Sequence, residues 1–370
     1  MKLHLHKGSL LTALQVVNGV IPTRTPKEIL KNVKLQARDN LVTLSGTDQE
    51  IGIRYELPGV EIESPGETLL PTNRMISILR ELTDNSVALE LSERGVQVRS
   101  GQSEFELAAE DSAEFPPVAE FDADTYVSVT GNLLREAIRR TVFATDTEST
   151  RYALGGVLLE LEEDSFTLAA TDSRRLAVVK SACKTVGDVS LGENPPVIPS
   201  KAMSLIERSI ENDDDEVHIA IQENNVLIKS GHSTISSRLV EGRFPKYRDV
   251  IPAESKVSVE FLVGTFLSAV RQAQIVTNDE SRGVDFTFVD GRLKLSSKAA
   301  DIGQSTIELP IEYSADELTI TFDPRFIAEF LRVLEPEKSV RLDLIDSESA
   351  AVFRTDDAYT YVTMPLSRDR

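Results

Sequence analysis

Apolar and polar residues alternate with a period of two in segments that recur at long intervals along the chain. Ile29 to Leu35 and Leu41 to Asp48 read as two strands around a polar turn, and the pattern returns at Ala153 to Leu159 and Phe166 to Asp172. A fainter third copy runs from Arg282 to Phe288, turns at Asp290-Gly291 and continues from Leu293 to Ser297. A later block repeats as well. Val96 to Gly101 ends in Phe115-Pro116, Val226 to Gly231 ends in Phe244-Pro245, and Ala351 to Asp356 leads into Tyr359 to Pro365. Self-similarity of this kind predicts one supersecondary unit used several times.

Apolar residues at helical spacing precede each hairpin and recur midway through each unit. In the first unit they are Leu10, Leu11, Leu14 and Val17, then Met75, Ile78, Leu79 and Leu82 after the helix start Pro71-Thr72-Asn73. The second unit has Leu133, Leu134, Ala137 and Ile138, then Met203, Ile206 and Ile210. The third has Phe261, Leu262, Phe266, Leu267 and Val270, then Phe326, Ile327, Phe330 and Leu331 after Asp323-Pro324. A helix followed by several strands therefore occurs six times, which predicts an α+β chain of three repeated domains at 1–125, 126–254 and 255–370. The junctions at Phe121 to Asp124 and Pro252 to Ser255 are short and polar, as closely docked domains require.

Composition narrows the class. At 370 residues and 41% hydrophobic, the chain has material for two or three cores. The single cysteine, Cys183, excludes an internal disulfide framework and a cysteine-rich zinc site. Met1 to Lys7 lacks the apolar run of a secretory signal and no later stretch reaches membrane-spanning length, so a soluble, cytoplasmic protein with no membrane partner is expected. A net charge of −20 argues against a surface coated in basic residues. The helical segments depart from that balance. Arg74, Arg80, Arg135, Arg139, Arg140, Lys201, Arg208, Arg271, Arg325 and Arg332 stand against Glu81, Glu136, Glu207, Glu211 and Glu329. Any one such helix fits an ordinary solvated face, whereas the repetition in an acidic chain predicts a segregated basic surface.

Sequence motifs for catalysis are missing: no phosphate loop, no dinucleotide turn and no His-Glu-x-x-His zinc helix. His4, His6, His218 and His232 lie in strand-like segments, and Asp213-Asp214-Asp215-Glu216 reads as a solvated acidic turn because it lacks the spaced ligands of a calcium loop. No cofactor and no metal are expected.

The repeat, together with Arg151-Tyr152-Ala153-Leu154-Gly155-Gly156, Ala170 to Ala177, Gly242-Arg243-Phe244-Pro245-Lys246-Tyr247 and the terminal Met364-Pro365-Leu366, closely resembles the bacterial DNA sliding clamps, the beta subunits of DNA polymerase III. The resemblance spans the chain. It implies the DNA-clamp fold, with two helices and two antiparallel sheets per domain and a head-to-tail homodimeric ring lined by helices. It also implies a non-catalytic processivity factor that slides on double-stranded DNA without reading sequence, after ATP-dependent loading. The implied partners are the polymerase III alpha subunit, the clamp loader delta subunit, and other polymerases and repair proteins that carry a clamp-binding motif.

Residue by residue, the resemblance assigns DNA contact to Arg24, Arg80, Thr150, Lys201 and Arg282, and the basic helix faces add Arg135 and Arg139. It assigns a partner-peptide pocket to Leu154, Thr171, Ser173, Arg174, Arg175, Leu176, Pro245, Val250, Val362, Met364, Pro365 and Leu366. The dimer interface falls on Phe105 and Leu107 and on Ile275 and Val276, with Lys294, Lys298 or Arg271 answering Glu104 and Glu106. Ser173 and Arg174 replace a frequent Gly and His, Asp249 a frequent basic residue, and Glu348 a usual apolar one; Ser367 to Arg370 extend past the usual end. Two other classes remain open. A repeat-built interaction scaffold that never encloses DNA would bind peptides without topological retention, and an enzyme on a β-rich fold would show turnover.

Overall fold

The three hairpins form in equivalent registers. Asn32–Arg38 pairs with Leu41–Thr47 through Leu35 opposite Leu44, Gly156–Glu162 with Ser165–Thr171 through Leu159 opposite Leu168, and Val284–Val289 with Arg292–Ala299 through Phe286 opposite Leu295. In each case the paired residue is fully or almost fully buried, so the alternation read from sequence sets which face enters the core. The later blocks form hairpins too. Gly101 and Gly231, at φ +56° and +52°, turn the first two; an L side chain is disfavoured at such angles. This is a computed structural model, and it describes residues 1–38, 40–108, 110–148, 153–189, 195–278 and 282–367.

The chain divides into two compact units. One comprises 1–135, 183–191 and 201–239, the other 136–182, 192–200 and 240–370. The first unit holds a five-stranded sheet in the order Glu61–Ser64, Lys2–His6, Ser86–Ser92, Gly95–Ser100, Ser103–Leu107. Its nine-stranded sheet runs Lys184–Val186, Tyr126–Thr130, Glu216–Ile221, Asn225–Ser230, Ser233–Arg238, Ile51–Leu57, Leu41–Thr47, Asn32–Arg38, Gly66–Pro71. Ile53 opposite Ile235 joins strands far apart in sequence into that one sheet. In the second unit the eight-stranded order is Val197–Pro199, Gly156–Glu162, Ser165–Thr171, Arg175–Ala182, Tyr359–Thr363, Ala351–Arg354, Ser339–Leu344, Val257–Leu262. A four-stranded sheet, Gly303–Pro310, Arg292–Ala299, Val284–Val289, Leu318–Phe322, completes it. Among the described residues the strand pairings within these sheets are antiparallel, as in Leu176 opposite Val362.

Six α-helices are described: α1 Lys7–Asn18, α2 Thr72–Glu81, α3 Gly131–Arg139, α4 Ser200–Ser209, α5 Val263–Gln274 and α6 Pro324–Arg332. Leu10, Ala13, Leu14 and Val17 form the buried stripe of α1, which packs on α2 and on the strand Leu41–Thr47. Gly46 permits that approach, because a Cβ there would lie 2.6 Å from a Val17 methyl. In the second unit α5 packs on α6 over an aromatic core in which Phe330 stacks on Tyr361 at 4.6 Å. Asp323 caps α6 by accepting the Arg325 N–H at 3.0 Å, ahead of a proline at the first turn.

Four expectations change. Ile29 to Lys31 belong to the 3₁₀ turn Glu28–Lys31, and the first hairpin strand begins only at Asn32. Phe261 and Leu262 belong to the strand Val257–Leu262, and α5 begins only at Val263. Ile76 rather than Ile78 is buried in α2. Arg140 is no solvated cation: it is 4% exposed, lies over the Tyr359 ring at 5.2 Å, and pairs with Asp357 at 2.8 Å and with Glu136. Burial pushes the Asp357 carboxyl up, but hydrogen bonds from Arg140 and Thr355 outweigh it and hold the group below its ordinary range. Among the described residues no helix is long and apolar enough to cross a membrane.

Candidate functional site

The turn from Thr171 to Arg175 is a tied loop. Thr171 Oγ1 donates to the Arg175 carbonyl at 2.6 Å and accepts the Ser173 N–H at 3.1 Å, while Asp172 Oδ1 accepts the N–H groups of Arg174 and Arg175, both at 2.9 Å. Ser173 sits at φ +73°. The first repeat has the same device. Thr47 Oγ1 donates to the Ile51 carbonyl and accepts from Gln49, Asp48 Oδ1 accepts from Glu50 and Ile51, and Gln49 is at φ +81°. A Thr-Asp pair thus replaces glycine in turning the strand, since its side chains satisfy the turn's backbone donors.

This loop forms one wall of an apolar cleft of about 460 Å³. Leu176 and Val362, 2% and 3% exposed, belong to the core cluster beneath it, and Val250 and Met364, 56% and 45% exposed, stand at its rim. The chain after Tyr359–Thr363 is fixed to the loop by Met364 N–H donating to the Arg174 carbonyl at 2.9 Å. Thr171, Ser173, Arg174, Arg175, Leu176, Pro245, Val250, Val362 and Met364, all expected at a peptide pocket, converge here. Leu154, Pro365 and Leu366 are not among the lining residues: Leu154 is 2% exposed, and Leu366 is tied by its N–H to the Thr321 carbonyl. Lys246 and Tyr247 line the cleft and were missed as site residues, although the Gly242 to Tyr247 signature contains them.

Arg175 is a structural member of the wall rather than a free cation. Its guanidinium reaches Asp172 at 3.0 Å, Glu329, and the Phe143 carbonyl at 2.7 Å, and lies 4.5 Å over the Phe326 ring. Tyr247 anchors the opposite wall by donating to Glu160 at 2.6 Å, and Arg248 holds the same carboxylate. Burial pushes Glu160 up, but the hydrogen bonds from Arg248 and Tyr247 outweigh it and hold it below the usual carboxylate range. Fixed walls, an apolar floor and an adaptable methionine at the rim suit an apolar peptide.

Among the expected phosphate contacts, Arg24, Arg80, Arg139, Lys201 and Arg282 are exposed. Arg80 and Arg139 occupy the last turns of α2 and α3, and Lys201 the first turn of α4, where Asp48 pairs with its ammonium. Arg135 sits differently from the others: it is half-buried, donates to the Ile210 carbonyl at 2.6 Å and pairs with Asp213. Asp213 is correspondingly part of that pair. Thr150 lies outside the described residues.

Every described sheet is open at both ends, and two of the end strands bear on the expected interface. Among the described residues Ser103–Leu107 pairs with Gly95–Ser100 alone and exposes Phe105, with Leu107 half-buried, and Gly303–Pro310 pairs with Arg292–Ala299 alone. Ile275, 74% exposed, and half-buried Val276 follow α5, which packs on Gly303–Pro310. Glu104 is paired within its own sheet to Arg99 at 3.1 Å.

Comparison with known proteins places this combination among the DNA sliding clamps. Models of the DNA polymerase III beta subunit match along the chain: the N-terminal domain at 1–119, the central domain at 128–246 and the C-terminal domain at 248–367. The beta sliding clamp of Escherichia coli K12 is 29% identical over 369 residues, covering 99% of this chain and 100% of that protein. The crystal structure of the DNA polymerase III subunit beta from Pseudomonas aeruginosa superposes with a TM-score of 0.92 at 28% identity, covering 100% of both chains. The DNA polymerase sliding clamp from Bacillus subtilis gives 0.92 at 28% identity, covering 100% of this chain and 99% of that one. The chain belongs to the DNA polymerase III beta subunit family.

Proposed function

We propose that this DNA sliding clamp, a non-catalytic member of its family, closes with a second copy into a ring around double-stranded DNA and tethers DNA polymerase III to it. Supporting this is the placement of exposed Arg24, Arg80, Arg139, Lys201 and Arg282 on helices or loops of a chain with net charge −20. Contacts to phosphates without base readout attract the duplex yet fix no register, so the protein slides. Acidity elsewhere keeps DNA off the outer surface. The division into domains at 1–125, 126–254 and 255–370 is part of this reading, as is a cytoplasmic location, where the DNA lies.

The apolar cleft is the docking site for the alpha subunit, the clamp loader delta subunit, and the polymerases and repair proteins that share a short motif. Ring closure places Ser103–Leu107 of one copy beside Gly303–Pro310 of the other, with Phe105 and Leu107 near Ile275 and Val276, because uncovered strand edges favour strand addition. Primer extension with polymerase III, a clamp loader and ATP tests the assignment. Adding this protein lengthens the products; unchanged product length contradicts it.

A further inference from the structure

We infer that the partner peptide seated in the apolar cleft continues across Pro245 to Tyr247 into a neighbouring cleft, where Arg243 and Lys246 read acidic residues flanking its apolar anchors. The inference rests on the proposed peptide site and names the partner chemistry that site selects. The neighbouring cleft, about 590 Å³, shares Pro245, Lys246 and Tyr247 with the first, so a bound chain passes from one to the other without leaving the surface.

The internal charges of this second cleft are already spoken for. Glu160 accepts from Tyr247 at 2.6 Å and from Arg248 at 2.8 and 2.5 Å, and the Arg248 guanidinium lies 4.7 Å over the Tyr247 ring. The side chains of Arg243 and Lys246, by contrast, are exposed and make no ion pair or hydrogen bond among the described residues; only the Lys246 carbonyl is engaged, accepting the Asp249 N–H at 3.1 Å. The lining therefore carries Arg243, Lys246 and Arg248 against Glu160 and Asp249, a net positive surface on a chain of net charge −20. Opposite charge at the rim of an apolar site favours the correct partner and disfavours basic ones. A peptide whose anchors are followed or preceded by Asp or Glu matches it.

Fluorescence anisotropy with the full chain tests this, using synthetic peptides that share a Leu-Leu-Phe core and carry Glu-Glu, Gly-Ser or Lys-Lys at either end. Two exposed ion pairs predict that the Glu-flanked peptide binds about three- to tenfold tighter than the Gly-Ser one. That ratio falls to about one in roughly 0.5 M salt, and it also falls towards one in the Arg243→Ser/Lys246→Ser double variant. If the Gly-Ser peptide binds and Glu flanks add nothing, or the double variant keeps the ratio, the inference is overturned while the peptide site stands. No binding by any of the three peptides overturns the peptide site itself. A single-stranded oligonucleotide that displaces the Glu-flanked peptide as well as unlabelled peptide does would assign the two cations to phosphate instead.

Discussion

Leu176 and Met364 line the same cleft but are buried to very different extents, so truncating each separates binding from folding. Leu176 is 2% exposed and packs into the core cluster with Val362 and Tyr247. Leu176→Ala therefore leaves a cavity and costs roughly 2–5 kcal/mol of stability. For a unit of this size that is a fall in Tm of about 5–15 °C. Met364 is 45% exposed, and its role in the fold is carried by its backbone N–H, which alanine retains. Met364→Ala should shift stability by no more than about 0.5 kcal/mol. A bound peptide would cover the exposed part of the methionine, worth about 1 kcal/mol of apolar burial, so affinity should fall about five- to tenfold. Calorimetric unfolding and peptide anisotropy on both variants provide the check. Wild-type affinity in a fully stable Met364→Ala protein would refute the placement of the peptide, and wild-type stability in Leu176→Ala would refute the account of the cleft floor.

Arg175→Ala removes the donor to the Phe143 carbonyl and strips Asp172 of its charge partner, although Asp172 keeps two backbone N–H donors; a loss of about 2–4 kcal/mol is expected, with Arg174→Ala near neutral, and equal unfolding temperatures would contradict this. The Glu160 carboxyl is held below its unfolded value of 4.5, so its contribution is fully present above that value and is lost as pH falls through the depressed one. Glu160→Gln should flatten the acid limb of the stability profile; an identical limb would show that the tie to Arg248 and Tyr247 contributes nothing. Asp in place of both Phe105 and Ile275 sets charge in an apolar contact and should give monomers in sedimentation, whereas a persistent dimer would move the interface elsewhere.

Much of the fold was legible because a period-two pattern read three times marks the same two strands in each copy: Leu35, Leu159 and Phe286 each lie opposite a residue of the second predicted strand of their hairpin. Helix ends were less legible. Phe261 and Leu262 continue the apolar rhythm of α5, yet their backbone pairs with Val340 and Ser339, and only that distant strand makes them extended. The same limit applies to charge. Arg140 reads as a helix-surface cation until Asp357, 217 residues later, closes on it, and Arg175 reads as a pocket residue until Glu329, 154 residues away, does so. At the cleft, the nine convergent residues come from three separate stretches of sequence, and Lys246 and Tyr247 join them because the 3₁₀ turn Tyr247–Val250 carries Val250 to the rim.

Ring closure around DNA is tested most directly by loading the protein onto nicked circular duplex with a clamp loader and ATP, then separating bound from free protein before and after cutting the circle once. The protein should travel with the closed circle and be released by the cut, because nothing but topology retains it. Protein that stays on the linear product, or that never travels with the circle, would contradict encirclement.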